Sequence, residues 1–104
     1  MFHLEFTNAA DVQKEAIKNG SNKGLWKQVG KTLGYLQTNP KHPSLQTHPY
    51  FSIPNPVNPK EKVFEAYAQN NTPSAYRLFF AYGSVLKPPT PGRVITIIAI
   101  TAHP

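Results

Sequence analysis

The amino-terminal part of the chain begins with an alternation of apolar and polar residues and continues with a helical period. Phe2 to Phe6 alternates strictly, which predicts a short, half-buried strand. Thr7 or Asn8 then offers a side-chain oxygen that can cap a helix starting near Ala9. This helix is predicted to be short, because Asn19-Gly20 is a typical helix end.

A second helix is predicted from about Ser21 or Asn22 to Asn39-Pro40, where the proline stops it. Apolar residues recur along this segment at helical spacing and form one face: Leu25, Trp26, Val29, Leu33 and Leu36. Its three glycines each lower the intrinsic helix stability by about 1 kcal/mol relative to alanine. Packing against the rest of the domain must therefore stabilise this helix.

The second half of the chain is predicted to be a long loop followed by strands. Six prolines between Pro40 and Pro59 exclude both a helix and a central strand, so this segment is interpreted as a loop. Runs of apolar and β-branched residues then predict three strands, with a turn and a loop between them. The strands are Lys62–Ala68, Tyr76–Tyr82 and Arg93–Thr101, the turn is 70–73, and the loop is Gly83–Gly92.

The order of these segments predicts one α+β domain over residues 1–104, with the Pro-rich loop 40–60 inside it. The strands and helices follow one another as β-α-α-β-β-β. The expected sheet has four mostly antiparallel strands, and the two amino-terminal helices pack on it. The last strand is apolar throughout, which is typical of a central strand covered on both faces.

Composition and charge narrow the chemistry and the partners. Eleven Lys and Arg face five Asp and Glu, a formal net charge of +6. Such a charge either keeps the protein in solution or attracts a nucleic acid or an acidic protein. The chain has no cysteine, which excludes thiolate metal sites and favours a reducing, cytoplasmic compartment. His42 and His48 have no metal-ligand spacing, and no common catalytic motif or membrane-spanning segment is present, so no metal, cofactor or membrane is predicted.

Arg77 is the first candidate for chemistry. Its neighbours Tyr76 and Leu78 are expected to face the core, so Arg77 is predicted on the other, exposed face of the sheet. There its guanidinium can bind a phosphate, or it can simply pair with Glu65 of the neighbouring strand. His103, just after the last strand, is either an acid or base or a frayed terminal residue. The two share a face if Arg77 pairs with an odd-numbered residue of that strand.

A basic face is predicted on the second helix. Lys23, Lys27 and Lys31 stand four residues apart and therefore stack along one side of it. We call these three residues the lysine ridge. The ridge is either a solvated polar face or a surface that follows the phosphates of a nucleic acid. Arg93, at the start of the last strand, is predicted to bind phosphate as well.

Five stretches share their order and spacing with one known family. They are Leu33–Pro40, Leu45–His48, Lys62–Tyr67, Thr72–Leu78 (with the arginine of its YRL motif at 77) and Ile95–His103. Together they resemble the RelE/ParE superfamily of toxin–antitoxin toxins, from residue 2 to residue 103. The loop Gly83–Gly92 departs from that family, which usually has a tight turn there. Pro104 departs as well, because ribonuclease-type members often carry a tyrosine or another basic residue at that place.

The resemblance implies a RelE-like fold and a specific reaction. RelE-type members cleave mRNA in the ribosomal A site by making the ribose 2′-OH attack its own phosphate, without a metal. By motif position, Arg77 would stabilise the phosphate and His103 would act as acid or base. His48 and Lys41 are weaker candidates for proton transfer or phosphate contact.

The resemblance also implies partners and leaves alternatives open. The expected partners are an acidic antitoxin, mRNA and the ribosome, with the toxin either monomeric or in a toxin–antitoxin complex. The charge of +6 suits an acidic antitoxin, since long-range attraction speeds association. The alternatives are a ParE-type inhibitor of DNA gyrase and an inactive relative that only binds its antitoxin or nucleic acid.

Overall fold

The computed structural model describes residues 1–69, 74–86 and 93–102. Its elements along the chain are β1 (His3–Phe6), α1 (Asn8–Lys18), α2 (Lys23–Thr38), a 3₁₀ helix (Pro43–Leu45), β2 (His48–Tyr50), β3 (Val63–Tyr67), β4 (Tyr76–Tyr82) and β5 (Val94–Ala102). The turn predicted at 70–73, most of the loop predicted at 83–92, and His103 lie outside the described residues. No helix in the described part of the chain is long and apolar enough to cross a membrane.

Both helices begin at side-chain caps. The backbone N–H of Ala10 donates to Thr7 Oγ1 at 3.1 Å, and that of Leu25 donates to Asn22 Oδ1 at 3.0 Å. Each cap satisfies one of the amide groups that have no partner inside the helix. The two predicted helices are thus confirmed, with their starts within a residue or two of the expected positions.

Within the described residues the sheet has five strands in the order β1-β5-β4-β3-β2, so the predicted count of four is wrong. The additional strand, β2, lies inside the Pro-rich segment that was expected to be a loop. A proline is tolerated there because an edge strand needs ladder hydrogen bonds on one side only. β1 pairs with β5 in parallel and the other three pairs are antiparallel, which confirms the mostly antiparallel α+β fold.

The hydrophobic core lies between the two helices and one face of the sheet. The helices contribute Ala10, Val29 and Leu36, and the strands contribute Ala66, Leu78, Phe80, Ile95, Ile97 and Ile100. In β5 the buried isoleucines change from odd to even positions. This change is caused by a bulge, because Phe79 lies opposite Ala99 whereas Phe80 lies opposite Ile97.

Thr7, the N-cap of α1, and Gln13 within α1 hold this bulge in place. The N–H of Thr7 donates to the Ile97 carbonyl at 3.0 Å, and its hydroxyl donates to the Ile98 carbonyl at 2.8 Å. The N–H of Ile100 donates to Gln13 Oε1 at 2.7 Å. β1 pairs only with residues 94–97 of β5, so this glutamine replaces a strand partner beyond that point. The bulge fixes the register of β5 against β4, on which the candidate site depends.

Candidate functional site

Arg77 lies on the sheet face opposite the helices, as its place between Tyr76 and Leu78 predicts. It is nevertheless buried, with only 3% of its surface exposed, so the prediction of an exposed position is wrong. Alternation along a strand decides which face a side chain takes, whereas other segments decide whether that face is covered. Tyr67, directly opposite in β3, places its ring centroid 3.9 Å from the guanidinium carbon.

Glu65 of β3 shares this buried position with Arg77. Glu65 Oε2 lies 3.8 Å from Arg77 Nε, and both side chains are 3% exposed. Arg77 Nη1 also donates to the Ala75 carbonyl at 2.9 Å. The predicted alternative of a pair between Arg77 and Glu65 is therefore confirmed, but as a buried ion pair. An unpaired carboxylate at this depth would be strongly unfavourable, and the guanidinium compensates its charge.

His48 of β2 connects this buried pair with the protein surface. It lies directly opposite Glu65 in the sheet, and its Nε2 is 2.7 Å from Glu65 Oε1. Its Nδ1 is 2.8 Å from the Gln46 carbonyl oxygen. The His48 side chain is 43% exposed, so solvent and ligands can reach it. We call His48, Glu65, Tyr67 and Arg77 the Arg77 cluster.

The hydrogen bonds of His48 determine how it can exchange a proton. The Gln46 carbonyl can only accept, so His48 Nδ1 carries a proton. The short contact between Nε2 and Glu65 Oε1 then requires one further proton between those two atoms. The pair is either an imidazolium beside a carboxylate or an imidazole beside a carboxylic acid. Either form holds one proton that can be passed to an oxygen bound at the surface.

The register of β4 and β5 places an odd-numbered residue, Thr101, opposite Arg77. Residues directly opposite in an antiparallel pair project to the same face, so Thr101 is on the face of the Arg77 cluster. This register is the condition under which Arg77 and His103 were expected to share a face. His103 itself lies outside the described residues, and its role stays a prediction.

The lysine ridge is exposed on α2, on the other side of the sheet from Arg77. Its three side chains are not equally far from the cluster. Lys31 lines a cavity of about 250 Å³ whose walls also include Gln46 and Tyr67. Lys23 begins α2 and is two helical turns away from Lys31. Lys31 is therefore the ridge residue that shares a cavity with a member of the Arg77 cluster, Tyr67.

Lys41 and Arg93 lie together in a second place. Both line an open groove of about 970 Å³ at the carboxyl end of α2. The groove walls include three aromatic rings, those of Phe2, Phe64 and Tyr82, and we call it the aromatic groove. It is on the helix-covered face of the sheet, because Phe64 packs against the core. The structure therefore groups Lys41 with Arg93 in this groove and groups His48 with Arg77 in the cluster.

Burial affects one titratable group of the aromatic groove. Tyr82 is 39% exposed, and its ring meets those of Phe2 and Phe64 at centroid distances of 5.8 and 5.6 Å. Desolvation in these surroundings raises the pKa of its phenol above the ordinary value of 10.0.

Sequence reasoning identified Glu65 only as a structural partner and missed Tyr67. The signal for Glu65 was present, since it is the one charged residue in the strand Val63–Tyr67 and sits between apolar neighbours. A carboxylate in such a run must be either exposed or paired. No comparable signal marked Tyr67, because an aromatic residue is ordinary in a strand.

Comparison with known proteins identifies the fold. No family model and no curated protein matches the sequence. A solved YoeB/ParE toxin from Agrobacterium tumefaciens superposes with a TM-score of 0.69 at 10% identity, covering 100% of both chains. The chain has the fold of this toxin. A copper-bound mutant toxin from Helicobacter pylori gives a TM-score of 0.53 at 14% identity, covering 99% of this chain and 96% of that one. The RelE/ParE-like fold predicted from the sequence is thus confirmed.

Proposed function

We propose that the protein is the toxin of a toxin–antitoxin system and that it cleaves mRNA on the ribosome. The fold shared with a YoeB/ParE toxin supports the first part. The second part rests on one observation, the exposed His48 whose Nε2 lies 2.7 Å from Oε1 of the buried Glu65. A proton-transfer pair of this kind serves acid–base chemistry, whereas binding alone does not need it.

The proposed reaction is a transfer of the phosphate within the RNA. The 2′-oxygen loses its proton and forms a bond to phosphorus, and the bond from phosphorus to the 5′-oxygen of the next nucleotide breaks. The leaving 5′-oxygen takes up a proton. The products are a 2′,3′-cyclic phosphate and a free 5′-hydroxyl. The protein needs one acid, one base and positive charge near the phosphate.

His48 is the proposed acid for the leaving oxygen. Its Nδ1–H contacts the exposed Gln46 carbonyl, which an RNA oxygen can replace without disturbing the bond to Glu65. Glu65 then orients the ring and stabilises the imidazolium. Because Arg77 is 3% exposed, it acts in this proposal through Glu65 as a positioning residue and does not contact the phosphate. The resemblance assigns the other proton transfer to His103.

Phosphate binding is assigned to the lysine ridge, beginning with Lys31. This residue lines the cavity that also includes Tyr67, whose ring contacts the Arg77 guanidinium. Lys27 and Lys23 continue the basic face along α2. The antitoxin is expected to be acidic, because the toxin carries a net charge of +6.

Cleavage of a defined mRNA by the purified protein, with and without translating ribosomes, tests this function. We expect ribosome-dependent cuts that leave a cyclic phosphate. His48→Ala should slow them by about 10²- to 10⁴-fold, the usual contribution of general acid–base catalysis. His48 is 43% exposed, so the variant should remain folded. His3→Ala is the matched control, because it removes another exposed histidine, on β1, and should leave the rate unchanged.

The possible outcomes separate the alternatives. Equal rates for His48→Ala and the parent protein would remove His48 from the mechanism. If neither protein cuts RNA in the presence of ribosomes, the endoribonuclease proposal is wrong, and inhibition of DNA gyrase should then be measured by supercoiling. Binding to an acidic antitoxin without either activity would indicate an inactive relative.

A further inference from the structure

The aromatic groove contains two cations to which the proposed reaction assigns no role. Its described lining contains two cations, Lys41 and Arg93, and no carboxylate. Arg93 places its guanidinium carbon 5.6 Å from the centroid of the Phe2 ring. The groove is therefore both positively charged and aromatic, and it is separated from the Arg77 cluster by the sheet.

The aromatic rings leave an accessible surface. Tyr82 is 39% exposed although it contacts the rings of Phe2 and Phe64. Flat rings of this kind present a face on which another planar group can stack. The remaining described lining is mainly polar or proline, with hydroxyl and amide groups that can bond to the edge of a base: Thr38, Asn39, Gln46 and Thr47.

The negative end of the α2 dipole would oppose an anion, but two of its last four carbonyls already have partners. The Tyr35 carbonyl accepts from the Asn39 N–H at 2.6 Å, and the Gln37 carbonyl accepts from the Phe2 N–H at 2.7 Å. Carbonyls that already have partners offer less partial charge to a ligand. A helix end is equivalent to at most about half a negative charge, which the two cations of the groove outweigh.

The lining favours a nucleotide over an acidic amphipathic peptide. A peptide helix would insert leucine-type anchors, which pack best between aliphatic side chains. The described lining of the aromatic groove contains no Leu, Ile, Val or Met. A volume of about 970 Å³ is large enough for a nucleotide, since ligand pockets usually measure about 300 to 1,000 Å³.

We propose that the aromatic groove is a second nucleic-acid site, which holds one nucleotide of a single strand. The base stacks on the exposed face of Tyr82, and its flanking phosphates lie against Lys41 and Arg93. This site is on the face opposite the Arg77 cluster, and it does not depend on whether the protein cleaves RNA.

Binding of a 5′-phosphorylated six-nucleotide thymidine DNA strand tests the proposal. This probe lacks the 2′-hydroxyl, so the proposed cleavage reaction cannot consume it. We expect its addition to shift the backbone amide resonances of Phe2, Tyr82 and Arg93 in a titration followed by nuclear magnetic resonance. An abasic strand with the same phosphates should bind at least about fivefold more weakly, because stacking contributes strongly for each base.

Three variants assign the contacts. Tyr82→Leu keeps an apolar side chain but removes the stacking face, and should weaken binding at least about fivefold. Lys41→Gln and Arg93→Gln should each reduce the slope of log affinity against log salt by about 0.7, the effect of one lost phosphate contact on a single strand. Lys18→Gln makes the same charge change on the exposed end of α1 and should leave affinity and slope unchanged. Circular dichroism of each variant serves as the control for folding.

Several results would overturn the proposal. Equal affinity for the thymidine and abasic strands would show that the groove binds the phosphates of the strand and makes no contact with its bases. Resonance shifts restricted to the lysine ridge would locate binding elsewhere. A hexaglutamate peptide that binds as tightly as the DNA would show that the groove is a general anion surface or a site for acidic protein.

Discussion

Replacing Arg77 with alanine should destabilise the protein strongly, because it removes the buried guanidinium beside Glu65, whose other oxygen keeps its contact with the half-exposed His48. The charged groups are 3.8 Å apart and both side chains are 3% exposed. At an effective dielectric constant of about 20, their attraction is about 4 kcal/mol. Mutations that leave one member of a buried pair behind typically cost about 3 to 5 kcal/mol. Total stabilities of small domains are about 5 to 15 kcal/mol, so this loss takes up a large part of the total.

Urea unfolding followed by circular dichroism measures this loss. With a denaturant slope of about 1 to 3 kcal/mol per molar, a loss of about 3 kcal/mol lowers the midpoint by about 1 M or more. Arg77→Lys keeps the charge but loses the flat contact with Tyr67, so it should cost less than Arg77→Ala.

A double variant tests whether the uncompensated charge causes the loss. Glu65→Gln combined with Arg77→Met removes both charges and keeps the volume, so it should be more stable than Arg77→Ala alone. A loss below about 1 kcal/mol for Arg77→Ala would refute the reasoning, because losses of that size are typical of exposed ion pairs. A double variant no more stable than the single one would show that packing, and not charge, dominates.

Two further predictions concern α1 and the aromatic groove. Gln13→Met should lower the free energy of unfolding, measured with urea, by about 1 to 3 kcal/mol, because it leaves the buried N–H of Ile100 without its acceptor. Gln13→Glu keeps an acceptor and should lower it clearly less. Equal losses for the two variants would contradict this account. Burial raises the pKa of Tyr82 above 10.0, so the unfolded chain loses this proton first and stability falls as the pH rises past that value. Tyr82→Phe should therefore lose less stability than the parent between about pH 9 and about pH 11, whereas parallel curves would contradict the raised pKa.

The sequence predicts the helices and the long strands well because their signals are local. Caps such as Thr7 and alternation such as that of Tyr76–Tyr82 depend on neighbours a few residues away. β2 was missed because Pro49 argues against a strand unless that strand is known to be at an edge, which is a property of the whole sheet. The bulge at Ile98 was hidden for the same reason, since a continuous apolar run looks identical in either register.

The candidate site was predictable only in part. Alternation correctly assigned Arg77 to the face opposite the helices, but its burial depends on Glu65 and Tyr67 of another strand. The contact between His48 and Glu65 depends on the pairing of β2 with β3, and β2 itself was not expected. Residue types therefore indicated the kind of chemistry, whereas the geometry depends on contacts between strands that one sequence does not reveal.

Gln46 connects the two candidate sites. Its carbonyl accepts the Nδ1 proton of His48, and the residue lines both the cavity beside Tyr67 and the aromatic groove. Gln46 has a φ of 49°, a left-handed conformation that costs a residue with a side chain about 1 to 2 kcal/mol. Its N–H donates to the Pro43 carbonyl at 3.1 Å, and this bond closes the 3₁₀ helix and holds the conformation. A nucleotide in the aromatic groove would contact the segment that orients His48, so an RNA strand could reach both sites by passing around this edge of the sheet.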